Sequence, residues 1–133
     1  MVFVYRFEAP SPLAALAQQV LDAVETAAVA AVTSEITIME MMIRPFQLGR
    51  PDIAAGYEDL LTSFPNLTIA PLARVAIRRA AELRARYGLQ ALDSLQVAAC
   101  ITSGATAFVT NDLRLRRVAD LDMIILDDFL ASR

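Results

Sequence analysis

Apolar positions recur along most of this chain with a helical period, broken by short runs in which the period disappears. Leu13, Leu16, Val20, Leu21 and Val24 recur at helical spacing and predict a helix over Leu13 to Glu25. Ala28 to Val32 is short and permits a strand. Ser34 is a good N-cap for a helix running to Ile43, with Pro45 expected to stop it. Pro51 suits the first turn of a helix over about Asp52 to Ser63, and Leu67 to Ala70 reads as a brief strand. The clearest pattern follows Pro71. Leu72, Ala76, Ala80, Leu83 and Tyr87 line one face of a helix from Leu72 to Tyr87, while Arg74, Arg78, Glu82 and Arg86 line another. Glu82 is placed to pair with Arg86 one turn on, and Gly88 is a natural C-terminal stop. A further helix is expected from Leu92 to Ser103, ended by Gly104. A buried-type strand over Ala107 to Thr110, a short helix from Asp112 and a last strand over Met123 to Leu126 complete the pattern. Helices alternating with short apolar strands indicate an α/β fold with a parallel sheet flanked by helices.

Composition narrows this picture. A chain of 133 residues points to one domain over 1–133, and 56% apolar residues leave little for disordered tails. No linker, repeat or low-complexity segment interrupts it. The net charge of −3 makes the whole molecule no electrostatic magnet for nucleic acid, so local patches decide. All 12 basic residues are Arg. The absence of His excludes imidazole bases, Ser-His and Cys-His nucleophile pairs, and histidine metal ligands. Cys100 is alone inside an apolar helix, which excludes an internal disulfide framework and points to a core thiol. No signal peptide is visible, and the longest uncharged stretch, Ser94 to Asn111, is too polar to span a membrane. These features favour a cytoplasmic protein.

The candidate chemistry lies in three acids. Glu40 stands between Ile38-Met39 and Met41-Met42-Ile43, where an ionised carboxylate is costly without a cation or several donors. Asp93 falls in the first turn of its helix, where the helix dipole favours an acid whatever its function. Asp112 follows a strand and is equally a plausible N-cap. In parallel α/β folds ligands gather outside the carboxyl ends of strands, and Asp112 belongs to that edge. Two unit charges about 4 Å apart cost roughly 4 kcal/mol at an effective dielectric near 20, so converging acids need a shared proton or a cation. Oxygen ligands without His or Cys select Mg²⁺ or Mn²⁺, and a phosphodiester is the natural substrate class.

Three stretches carry a family resemblance: Thr33-Ser34-Glu35-Ile36-Thr37-Ile38-Met39-Glu40, Ala91-Leu92-Asp93-Ser94-Leu95-Gln96-Val97-Ala98 and Phe108-Val109-Thr110-Asn111-Asp112. In order and spacing the set resembles the PIN domain, and most of all the VapC-type ribonuclease toxins of toxin–antitoxin pairs. The resemblance implies a three-layer sandwich. It implies a metal site at Glu40, Asp93 and Asp112, with Thr110 and Asn111 as polar support beside the last acid. It also implies RNA cleavage with Mg²⁺ or Mn²⁺, a homodimer, and a cognate antitoxin as partner. In that family a first strand ends in an Asp two residues before an apolar segment like Val2-Phe3-Val4-Tyr5-Arg6-Phe7-Glu8, which begins the first helix. This sequence begins just after that position, so the first strand and first acid are missing from it, and Glu8 lies too far along to replace the acid. Either the start is misassigned or shortened, or the metal site lacks a principal ligand.

Substrate contact needs positive charge. Arg114, Arg116 and Arg117 directly follow Asp112 and are the better candidates for RNA phosphate; Arg74, Arg78, Arg79, Arg84 and Arg86 read more simply as a solvated helix face. Met39, Met41 and Met42 read as packing, with a dimer surface as the other role. The leading expectation is a Mg²⁺- or Mn²⁺-dependent endoribonuclease. The alternative is a catalytically impaired PIN-fold protein-binding module. A phosphatase of another doubly wound fold is weaker, because its nucleophilic Asp has no candidate on an early strand.

Overall fold

The computed structural model of the chain describes residues 12–110 and 112–131. The helix expected over Val2 to Phe7, Glu8 and the site residue Asn111 lie outside the described residues. In chain order the elements are α1 (Pro12–Glu25), β1 (Ala31–Ser34), α2 (Glu35–Gln47), α3 (Pro51–Ser63), β2 (Leu67–Ala70), α4 (Arg74–Tyr87) and α5 (Ala91–Thr102). They continue with β3 (Ala107–Thr110), a 3-10 helix (Leu113–Arg117), β4 (Asp122–Ile125) and α6 (Leu126–Ala131).

Every described strand pair is parallel, as the unalternating apolar runs require. β1 pairs with β2 from Ala31↔Leu67 to Ser34↔Ala70, and β3 pairs with β4 from Ala107↔Asp122 to Thr110↔Ile125. Among the described residues these are two two-stranded ladders with no hydrogen-bonded ladder between them. α5 bridges them. It packs on α4 and on β1, and its Val97 and Ala98 form one apolar cluster with Leu83, Leu89, Leu115, Val118 and Leu121. A second cluster joins Leu21, Met41 and Leu61 beneath β2. Cys100 is buried on α5 with its Sγ 3.9 Å from the Val32 carbonyl of β1, and burial pushes its thiol up to about 11, so it is an inert core residue as expected.

Local chemistry explains most boundaries. Ser34 caps α2, its Oγ accepting from the Ile36 N–H at 3.2 Å. Gly88 ends α4 in the left-handed region at φ 65°, its N–H donating to the Arg84 carbonyl at 2.8 Å. Five expectations need correction. The first strand is Ala31–Ser34, not Ala28 to Val32, because the N–H groups of Ala28 and Val29 still donate to the Ala23 carbonyl at the end of α1. Pro45 does not stop α2, which runs to Gln47; the ring is buried where α2 packs on α3, and that packing outweighs the lost backbone bond. α4 begins at Arg74, not Leu72, because Ala73 is extended and the Leu72 N–H points to Glu35 Oε2 at 3.5 Å. Glu82 receives Arg79, not Arg86, at 2.8 Å. The last strand is shifted by one residue, and Leu126 begins α6 instead of ending β4. No helix among the described residues is long and apolar enough to cross a membrane.

Candidate active site

The three acids come from separate elements and line one pocket. α2 carries Glu40, the first turn of α5 carries Asp93, and Asp112 follows the end of β3; Gln96, Thr110, Phe108 and Leu115 complete the walls. The pocket holds about 210 Å³, room for an ion with several waters, since each water needs roughly 30 Å³. It lies at the carboxyl end of β3, where parallel topology puts ligand sites.

Glu40 is half-buried, and the Gln96 amide donates to its Oε1 at 2.7 Å. Burial holds its carboxyl above the ordinary value of 4.5; the charge of Asp93 pushes the same way and the Gln96 bond opposes both. Asp93 is likewise raised, by burial and by the charge of Asp112, against the Arg114 guanidinium. Asp112 goes the other way. Its carboxylate accepts from Arg114 three times through the side chain, closest at 2.6 Å from Nη2, and once from the Arg114 backbone N–H at 2.9 Å. Those bonds hold it below the ordinary carboxylate range. The same Nη2 lies 4.0 Å from Asp93 Oδ2. Thr110 is buried, and its Oγ1 accepts from the Asp112 N–H at 3.1 Å, fixing the turn that presents the acid.

Both local readings of the aspartates are therefore realised together with the convergent one. Asp93 is a helix-start acid and Asp112 caps the 3-10 helix, yet both face the pocket of Glu40. The donor chemistry fits a hard divalent cation: the charged donors are all carboxylates, and burial and mutual repulsion raise the carboxyls of Glu40 and Asp93 above their ordinary values. Among the described residues no three Asp, Glu or Cys side chains are grouped closely enough to hold one ion as they stand, and Arg114 engages Asp112.

Of the candidate RNA contacts, Arg114 is committed to Asp112, Arg116 pairs with Asp128 at 2.8 Å, and Arg117 is exposed. In the other Arg cluster, Arg79 pairs with Glu82 and with Asp120. The residue that sequence reasoning missed is Gln96. It is buried at 8% exposure, three residues after Asp93 and so on the same face of a mostly apolar helix. That pairing of a buried amide with an acid one turn earlier was the available signal.

A family model for the PIN domain matches residues 1–121, and the chain belongs to the PIN domain family. PIN domains are generally nucleases and use divalent metal ions. No curated protein matches the chain. Among solved structures it is similar to a toxin–antitoxin complex from Klebsiella pneumoniae, at 16% identity and TM-score 0.71, covering 94% of this chain and 92% of the other. It is also similar to VapBC2 from Rickettsia felis bound to a DNA fragment from their promoter, at 17% identity and TM-score 0.66, covering 92% and 91%. At such identities the likeness defines the fold.

Proposed function

We propose that this chain is a Mg²⁺- or Mn²⁺-dependent endoribonuclease of the VapC type, restrained by a cognate antitoxin. The observation that carries the reading is the convergence of Glu40, Asp93 and Asp112 on one pocket from three elements. Glu40 and Asp93, the two acids raised by burial and crowding, would hold the ion, with Asp112 beside them on the Arg114 side. A divalent cation bound there supplies the charge that makes water a nucleophile at neutral pH and neutralises phosphate oxygens. Gln96 holds the Glu40 carboxylate in one orientation, and Thr110 holds the turn of Asp112. Arg114, Arg116 and Arg117 stand on the pocket's 3-10 helix side, where phosphates of an RNA strand would approach.

The similar structures are a toxin–antitoxin complex and VapBC2, which supports an antitoxin partner for this chain. An apolar stripe on α2 is available for that partner or for a second copy in a homodimer: Met39, Ile43 and Phe46 are each about half exposed at i, i+4 and i+7. A second reading, the catalytically impaired binding module, is favoured by one observation, the commitment of Asp112 to Arg114.

Cleavage of RNA by the purified chain separates the two. Under the nuclease reading, Mn²⁺ supports cleavage and EDTA abolishes it. The rate rises with pH as Glu40 ionises. At subsaturating Mn²⁺ the ion competes with protons for Glu40, whose carboxyl burial holds above its ordinary value, so metal binding and cleavage weaken together as the pH falls. Cleavage that survives EDTA refutes the metal dependence, and no cleavage by a chain that still binds a partner refutes the nuclease.

A further inference from the structure

We propose that Arg114 is a built-in cation of the site, competing with divalent metal at the Asp112–Asp93 edge so that the pocket takes one ion, on the Glu40–Asp93 side. The inference rests on the nuclease reading above and concerns what this chain's own arginine does to it. Arg114 does not merely neighbour an acid. Three side-chain bonds, from Nε at 3.0 and 3.2 Å and from Nη2 at 2.6 Å, take up both oxygens of Asp112. The backbone N–H of the same residue adds a fourth bond, so the 3-10 helix start and the ion pair hold each other. From that anchored position Nη2 also reaches 4.0 Å from Asp93 Oδ2. One guanidinium thus stands between two of the three pocket acids, where a second cation would otherwise be required. Glu40 is not part of this arrangement; its bond is to Gln96 across the pocket.

Charge accounting favours one ion. Three carboxylates line the pocket, and Arg114 offsets one of them within the wall. One divalent ion then balances the remaining two, whereas two divalent ions would leave the cluster net positive beside a fixed guanidinium. The Asp112–Arg114 pair is partly solvated, with Arg114 57% and Asp112 26% exposed, so it is a contact that a metal can contest rather than a permanent lock. Arg114 is thereby a positioning residue. It sets how many ions the acids accept and how tightly, and a guanidinium displaced from Asp112 remains on the rim to meet a phosphate.

Calorimetric and spin-resonance titration of the full chain with Mn²⁺, without RNA, tests this. The wild type is expected to bind one Mn²⁺ per chain. Arg114→Gln removes the competing charge and is expected to tighten Mn²⁺ roughly fivefold, the size of a partly exposed ion pair, or to open a second site. Arg114→Lys, which keeps the charge, stays near wild type. Two ions bound to the wild type, or unchanged or weaker binding by Arg114→Gln, overturns the role of Arg114 and leaves the nuclease reading standing. If neither wild type nor Arg114→Gln binds Mn²⁺ while both remain folded by circular dichroism, the metal-dependent reading fails and the inference falls with it.

Discussion

Replacing Asp93 by Asn is expected to lower Mn²⁺-dependent RNA cleavage by about a thousandfold, corresponding to about 4 kcal/mol of transition-state stabilisation. Asp93 is the acid that the other groups share. Glu40 and Asp112 both act on it or are acted on by it, and Arg114 reaches it from the far wall. The change is nearly isosteric, and it relieves repulsion in the unliganded pocket. What it gives up in the fold is a favourable charge at the start of α5, about 0.5 kcal/mol, offset by the lost repulsion. Thermal melting without metal should therefore shift little. An Asn variant that cleaves at the wild-type rate removes Asp93 from the ligands. One that melts far lower makes Asp93 a structural residue whose activity loss says nothing of chemistry.

The largest stability effect is expected at Asp120, away from the pocket. Its side chain is 6% exposed, accepts from the Tyr87 hydroxyl at 2.6 Å and from Arg79, and lies just before β4. The Tyr87 oxygen in turn accepts from the Ala119 N–H at 3.2 Å. This network clamps the end of α4 to the loop that leads into β4. Removing one partner of a buried pair typically costs 3–5 kcal/mol, but Arg79 is a third exposed and keeps Glu82, so Asp120→Ala should cost about 2–3 kcal/mol. Urea unfolding measures it. Asp128→Ala is the control: its bond to Arg116 joins two exposed side chains and should matter by no more than about 0.5 kcal/mol. Equal effects at the two positions would mean that the Asp120 network is solvated and contributes little.

The parts of this fold that were legible in the sequence are those decided within about ten residues. Ser34 reads as a cap because its hydroxyl reaches a backbone N–H two residues on. Gly88 reads as a stop because it can adopt a positive φ. The strands Leu67–Ala70 and Ala107–Thr110 read directly because each is a short apolar run between turn signals. What misled was where distant packing overrides a local rule. Pro45 continues α2 because α3 covers it, and Glu82 pairs with Arg79, which is itself held by Asp120, 41 residues further along the chain.

The site divides the same way. Glu40 was conspicuous as an acid in an apolar segment, and Asp93 and Asp112 as acids at element ends. Their convergence depended on a family resemblance, since nothing local links residues on α2, α5 and the loop after β3. The bond between Gln96 and Glu40 spans 56 positions and left only the faint trace of one amide in an apolar helix. Arg114 carried the opposite ambiguity. Beside Asp112 in sequence it reads equally well as a phosphate contact or as the partner of its own acid, and the folded chain places it on the acid.

Diffraction from crystals soaked in Mn²⁺, with data collected for the anomalous signal of manganese, tests the central claim most directly. The account predicts one strong peak in the pocket, in contact with the carboxylates of Glu40 and Asp93. An ordered chain with no peak there, or with manganese bound only at other acids, would contradict it.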